Sequence, residues 1–484
     1  MKKLLLLPLL VIALAVCAQA PDTVRLSLTD VVSMAKERSL AALQASTIRE
    51  TRYWEWRTHR SNYAPQLALQ GTLPAYTKSF IPVVQPNGTI DFLSVHNNNS
   101  SMSLSFSQRI AATGGTVFGT SQIQRFDDFD RNNTLYSGVP YGIGYEQPLF
   151  RFNALKWNNK IEPLKYQESK QQYIESMEEV ALVAAGYFFE QLLAQVNLQI
   201  ADANLSNTQN ILRIANEKYD MGKIAHNEIL QLQLEELKAL KAVATARRDI
   251  EIANLNLKAY TGLAGDERLQ LLVPDDVRNI RIEAGKVLSE ANANRSDAIA
   301  FLRRELEAKR DVVKAKAENG INATLTARAG FTNSSTGFGK MYQAPKDQQV
   351  VQLEFDIPIL DWGRSRSRAR TAAANQKFVE YAVRQDRQNF MQEIVTEVTL
   401  FDMMKAQLDL TRRADSIATE KYGIARDRYV LGKLSITDLS IAFQEKDQAK
   451  RDYIFVLRDY WKAFYRLRYL SLYDFERQQK ITYP

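Results

Sequence analysis

One junction occurs twice in this chain, 210 positions apart, and it limits the folds open to it. In the later copy, Gln349 to Asn375, Val351, Leu353, Phe355 and Ile357 alternate with Gln352, Glu354 and Asp356. A two-residue period of this kind marks a strand with one apolar and one polar face. Pro358 cannot donate to a ladder, Asp361 can cap a helix, and an Ala- and Arg-rich helical run follows. A half-apolar strand therefore feeds a long helix with almost no loop. In the earlier copy, Tyr141 to Leu155, Pro148 stands where Pro358 stands later, and Phe152 where Trp362 stands. The chain is a duplication.

The helices that follow are too long for a compact domain, and 20 Gly and 13 Pro in 484 residues leave no flexible linkers. Leu155 to about Tyr219 reads as one helix of about 60 residues, about 90–100 Å long. Leu198, Leu205, Leu212 and Tyr219 fall seven apart, the seam of helices packed nearly parallel. A turn at Met221-Gly222-Lys223 sends the chain back through a second helix, Asn227 to about Tyr260. The later copy repeats this from about Ser365 to Leu431, turning at Gly432 and returning from Thr437 to about Leu472. The turns Tyr219-x-x-Gly222-Lys223 and Tyr429-x-x-Gly432-Lys433 are again 210 apart.

Ahead of each junction lie further strand patterns. Leu28 to Asn62 reads as a helix capped by Thr29 or Asp30, and Gln66 to Leu73 as a strand. A polar loop is expected over Pro82, Pro86, Asn87-Gly88 and Asn97 to Asn99. Ser101 to Ile110 alternates regularly, and Gly114-Gly115 turns into Thr116 to Phe126. In the later copy a helix over Val287 to Asn319 precedes a strand, Ile321 to Phe331, and a Ser/Gly-rich loop, Asn333 to Lys346. Pro65 and Ile321 are 256 apart rather than 210, so the first copy carries 46 extra residues in its strand region.

Residues 1–20 read as a secretory signal, with Lys2 and Lys3 ahead of an apolar run from Leu4 to Val16 and then small residues. Cys17, the only cysteine, is either part of that discarded segment or a lipid anchor; Val16 is not the small residue an anchor wants. A mature chain without it has neither disulfides nor thiolate metal sites. Removing Lys2 and Lys3 takes the net charge from +8 to +6, and no basic stripe with interleaved aromatics suggests nucleic acid. His59, His96 and His226 fall in unrelated elements, and no phosphate-binding Gly loop is present, so neither catalysis nor a cofactor is expected. No second apolar run is long enough for a transmembrane helix, but strands of about nine to eleven residues can cross a bilayer when tilted. Two per copy make four, and a barrel needs about eight, so one chain must assemble with others.

The signal, the duplication, the junctions Gln147-Pro148-Leu149-Phe150 and Ile357 to Arg364, and the two hairpin turns resemble the TolC family of outer-membrane efflux channels. The resemblance covers nearly the whole mature chain. It implies a mostly α chain with a membrane β-barrel part: a duplicated strand–long-helix-hairpin repeat closing as a homotrimeric channel-tunnel. The implied division is a signal over 1–20, a first repeat over 21–285 and a second over 286–484. The first holds strands over about 66–149, a helical hairpin over 151–262 and a connector over 263–285. The second holds strands over about 321–358 and a helical hairpin over 364–472. The implied function is a passive conduit of a tripartite efflux or type I secretion system. Its partners are outer-membrane lipid, a periplasmic adaptor and an inner-membrane pump of RND or ABC type. By the same resemblance Tyr219, Gly222, Lys223 and Ile224, with Tyr429, Gly432, Lys433, Leu434 and Ser435, form adaptor-docking and gating tips.

Asp438, with Glu228 at the matching place, fits the acidic ring of the family's lumen. Both equally fit acids at helix starts favoured by the macrodipole. The family's second acid is replaced by Ile441 and Gln231, which puts strong cation selectivity in doubt. Phe152 and Trp362 fit an aromatic girdle where the barrel meets the periplasm. A structural coiled-coil protein of the envelope is the alternative, and it leaves the matched amphipathic strands unexplained.

Overall fold

The computed structural model describes residues 23–264, 267–274 and 280–483. The signal-like segment 1–20, with Cys17, lies outside the described residues, as does part of the expected connector. The chain begins with β1 (Thr23–Leu26), α1 (Leu28–Arg38) and α2 (Leu40–Ser61). Seven strands of one sheet follow in two runs, five in the first copy and two in the later one. The first copy contributes β2 (Gln66–Thr72), β3 (Tyr76–Val84), β4 (Ile90–Arg109), β5 (Thr116–Asp128) and β6 (Asn133–Leu149). Next come α3 (Ala154–Asp220), α4 (His226–Thr261), β7 (Arg268–Leu271), α5 (Ala284–Asn294) and α6 (Ser296–Glu318). The later copy adds β8 (Asn322–Ser335), a 3₁₀ turn at Phe338–Tyr342, β9 (Lys346–Asp356), α7 (Arg364–Val430) and α8 (Ile436–Ser471). Two short strands, β10 (Tyr473–Asp474) and β11 (Gln479–Lys480), close the chain. Among the described residues no helix is long and apolar enough to cross a membrane.

Contacts divide the chain into two units, each drawing on both copies: Met1–Ser46, Ile174–Ala291 and Ile394–Pro484 form one, Thr47–Tyr173 and Asn292–Glu393 the other. The second unit holds one sheet in the order β2-β4-β5-β6-β8-β9, with every neighbouring pair antiparallel. β3 also pairs with β4, following β2 along the same edge. Paired residues share a face, so the registers show what each face carries. On one face, Leu67, Leu69, Met102, Leu104, Phe106, Val117, Ile143, Phe331, Leu353 and Phe355 form an apolar band across all six positions. The opposite face presents Gln66 and Gln70, Ser101 to Ser107 at alternate positions, Thr116, Thr326, Gln352 and Glu354. The apolar row is the exposed one, whereas the four serines are half-buried. That is the reverse of a water-soluble sheet and the pattern of a wall between lipid and a polar lumen.

Several sequence expectations change here. The Asn97–Asn99 tract, expected in a loop, lies inside β4 because its amides find partners across strands. Asn98 donates to Asp127 at 2.8 Å and accepts from the Ala75 amide at 3.0 Å, and Gln124 donates to Asn99 at 2.6 Å. Pro82 is tolerated in β3 because that strand pairs on one side only. The extra residues of the first copy include β5 and part of β4, which sit in the middle of the sheet, between β2 and β6. The expected single first helix breaks at Ser39, which is extended and accepts from the Ala42 amide to start α2. Its cap is Ser27, paired with Asp30 in a capping box, rather than Thr29 or Asp30. The connector contains β7, parallel to β1, a pairing that no local pattern announces.

The first unit packs α3, α4, α7 and α8. Phe188, Leu192, Leu257, Ile394, Phe401, Ile454, Leu457 and Tyr460 are fully buried, with Phe401 and Tyr460 rings 5.1 Å apart. The Leu198–Leu205 seam meets Val243 and Ala246 of α4, so it holds the first hairpin together. A second heptad series is uncovered: Met403, Leu410, Ile417 and Ile424 of α7, with Leu431 in the turn just after it, are seven apart and all exposed. Deeper in this unit Glu178, with no exposed side-chain surface, meets Lys36 at 2.8 Å, Arg468 at 3.0 Å and the Tyr483 hydroxyl. Arg468 also pairs with Asp474 at 2.7 Å. Burial alone pushes the Glu178 carboxyl up, but Arg468 and Lys36 outweigh it and hold the carboxyl below its ordinary range. Burial pulls the Lys36 ammonium down, and the carboxylate beside it offsets this only in part.

Candidate functional site

Each hairpin turn is built on one left-handed glycine. Gly222 has φ 67° and Gly432 φ 70°, a region that costs an L-residue about 1–2 kcal/mol. A Cβ at either position would meet nothing within 4 Å, so backbone conformation and not crowding requires the glycine. The Gly222 amide donates to the Tyr219 carbonyl at 2.7 Å, and the Lys223 amide to the Lys218 carbonyl at 2.9 Å. The second turn repeats both bonds, Gly432 to Tyr429 and Lys433 to Arg428, each at 2.9 Å. These bonds satisfy carbonyls that the helix ends leave open.

The helix starts beyond the turns differ. Ser435 caps α8: its hydroxyl accepts from the Asp438 amide at 3.1 Å and donates to the Asp438 carboxylate at 2.7 Å. Ala225 occupies the matching place before α4 and makes no side-chain cap. Asp438 is exposed and Glu228 half-buried. Asp438 thus sits in the first turn of α8 bonded to its Ser435 cap, while its carboxylate still reaches solvent.

The two tyrosines also part ways. Tyr219 is 42% exposed and tilts against the His226 ring at 5.6 Å. Tyr429 is 8% exposed, in a cluster with Tyr422 and Leu439 against which Leu434 and Phe443 pack. Burial pushes its hydroxyl pKa up, and the nearby Glu228 carboxylate adds to the shift. The Lys218 ammonium lies 4.9 Å from the Tyr429 ring centre. Ile211 and Ile436 belong both to this cluster and to that of Ala215, Ile229 and Leu232, which Ile224 joins. The hairpins are therefore stitched together just behind their turns. Lys218, Ile211 and Ile436 were not singled out from sequence, because what brings them to the turn is the packing of one hairpin on the other. Gly222, Lys223, Gly432 and Lys433 remain exposed at the turns.

At the strand–helix junctions, the Asp361 carboxylate accepts from the Gly363 amide at 2.9 Å and the Ser365 amide at 2.8 Å, starting α7. Trp362 is 90% exposed, with φ 53°. Phe152, its partner by sequence, is half-buried; the exposed aromatic at the first junction is Phe150, with φ 64°. Asn153 pins that turn, donating to the Ala111 carbonyl at 2.9 Å and accepting from the Lys156 amide at 3.0 Å.

A family model described as "Outer membrane efflux protein" matches residues 95–263 and 287–471, most of the chain and both copies. No curated protein matches by sequence. Among solved structures, the chain is similar to the outer-membrane channel CmeC of Campylobacter jejuni, at 14% identity over 94% of this chain and 87% of that one, TM-score 0.67. The outer membrane protein VceC of Vibrio cholerae gives 14% identity, 94% and 97% coverage, and TM-score 0.64. CusC, whose structures concern folding and transmembrane channel formation, gives 16% identity, 92% coverage of each chain, and TM-score 0.64.

Proposed function

The chain belongs to the outer membrane efflux protein family and is an outer-membrane channel subunit, and on that premise we propose how its parts divide the work. Three copies close one barrel in the outer membrane, and their helical hairpins form a conduit in the periplasm. The observation that carries this reading is the inverted sheet, apolar outside and hydroxyl- and amide-lined within, with both edges unpaired in the single chain. Unpaired edges in a bilayer leave backbone groups without partners, so β2 and β3 of one copy must meet β9 of the next. The exposed heptad series of α7 supports the same assembly, because an apolar seam of that period needs a partner helix. A coiled-coil envelope protein without a channel has no use for such a sheet.

The repeats 21–285 and 286–484 then each give strands to the barrel and a hairpin to the conduit. The tips, Tyr219, Gly222, Lys223 and Ile224 with Tyr429, Gly432, Lys433, Leu434 and Ser435, dock a periplasmic adaptor and gate the periplasmic end. Through the adaptor the channel serves an inner-membrane pump of RND or ABC type. The pump supplies the energy, and no catalytic step is assigned to this chain. Buried Tyr429 holds the closed arrangement, with Lys218 over its ring, and exposed Tyr219 is free to meet the adaptor. Glu228 and Asp438 set a ring of carboxylates near the gate. Trp362, with Phe152 and Phe150 at the matching junction, lies at the periplasmic interface of the outer membrane. Protein purified from outer membranes and added to a planar bilayer should give discrete single-channel openings. A preparation that stays silent, although folded and trimeric, would overturn the channel reading.

A further inference from the structure

A chain with two strands per repeat brings four staves to a barrel, and this chain brings six. β4 pairs with β2 through Ser101–Ser107 and with β5 through Asn97–Arg109, and β5 pairs with β6 from Thr116 to Asp128. The extra residues of the first copy are therefore built largely into the wall, and only the end of the β3–β4 hairpin, where Ile90–His96 pairs with β3 alone, lacks a second neighbour. Their side chains obey the wall's own alternation: Met102, Leu104 and Phe106 continue the apolar band, and Ser101, Ser103, Ser105 and Ser107 the polar one. An even number of antiparallel staves leaves edges that run in opposite directions. Identical copies can then join β9 to β2 around a ring with every pair antiparallel.

We propose that the barrel has eighteen staves, six from each of three copies, and that its lumen admits solutes too wide for a twelve-stave wall. The proposal rests on the three-copy reading above. Staves about 4.8 Å apart and tilted about 40° give a backbone diameter of about 36 Å for eighteen and about 24 Å for twelve. Side chains reaching about 5 Å inward from each wall leave about 26 Å against about 14 Å. The polar lining is mostly Ser, Thr and Gln, which suits a large water-filled passage without strong charge selection at the membrane.

Electron cryomicroscopy of the full mature protein in lipid nanodiscs counts the staves directly. Eighteen is expected, and any other number in a membrane-inserted trimer overturns the proposal. Failure of the underlying reading is distinguishable, because the particle's mass would then not be that of three copies. A second test uses membrane-embedded S103C and L104C variants, with the unsubstituted protein as the control for Cys17. A membrane-impermeant maleimide should label Ser103→Cys and leave Leu104→Cys at least tenfold less labelled. Equal labelling would place the β4–β5 hairpin in water, outside the wall. In a bilayer, poly(ethylene glycol) of about 10 Å radius added at the barrel side should lower conductance; its exclusion would contradict a wide lumen.

Discussion

Replacing Glu178 by Gln tests how the first unit is held together, because this one fully buried carboxylate faces two largely buried cations. Lys36 of α1 lies 2.8 Å away and Arg468 of α8 3.0 Å away, and the Tyr483 hydroxyl and the Lys36 ammonium are themselves 2.5 Å apart. In Glu178→Gln the amide keeps the volume but leaves Lys36 and Arg468 facing each other, with Asp474 on Arg468 as the remaining anion. Breaking a buried pair on one side costs about 3–5 kcal/mol, since an uncompensated charge stays in the interior. For a cooperative unit of this size that lowers the melting temperature by roughly 10 °C. The assay is thermal unfolding of detergent-solubilised protein followed by circular dichroism, for both forms across pH.

The pH dependence has a defined sign. The Glu178 and Asp474 carboxyls are both held below the ordinary carboxylate range, that of Asp474 because hydrogen bonds and the Arg468 charge outweigh the burial that pushes it up. A carboxyl depressed on folding stabilises fully above its unfolded pKa, and the benefit is lost as pH falls through the folded value. The unsubstituted protein should therefore lose stability as pH falls below about 4.5, and the variant should lose less over that interval. A variant as stable as the parent at pH 7, with the same acid profile, would refute the argument. The network would then be replaceable by neutral hydrogen bonds.

The turns and the seam give further predictions. Gly432→Pro cannot adopt φ 70° and removes the amide that bonds Tyr429, so export should be abolished in cells while trimers persist in the membrane. Export surviving that change would show that this turn neither docks nor gates. Ser435→Ala should cost about 1 kcal/mol at the second tip, and Ala225→Ser should gain a comparable amount at the first, both read by hydrogen exchange of the turn amides. Ile417→Glu puts a charge in the exposed heptad series of α7 and should shift detergent-solubilised trimer towards monomer at equal concentration; an unchanged trimer fraction would mean that the seam faces water.

Much of this architecture is legible because its patterns are local and strictly periodic. Met102, Leu104 and Phe106 against four serines identify a two-faced strand in any context, and Gly222 and Gly432 mark turns because the backbone there goes left-handed. Helix lengths follow from the unbroken helical pattern between Leu155 and Tyr219, which α3 carries through Pro163 near its start. Less legible is whatever depends on a distant partner. Asn97–Asn99 has a loop composition, and only Asp127, Gln124 and the Ala75 amide make it a strand. β1 finds β7 across some 240 residues of sequence. The two tip tyrosines have matching positions and opposite exposure, because Lys218 and Ile211 from the other hairpin cover only Tyr429. Repeat arithmetic located the extra residues of the first copy, but only strand pairing puts them in the wall.

Native mass spectrometry of the mature protein, released from outer membranes by detergent, bears most directly on the assembly. A particle of three chains that aggregates when the detergent is withdrawn is the expected result. A stable single chain in detergent-free buffer would mean that the exposed apolar band and the open strand edges need neither lipid nor neighbours.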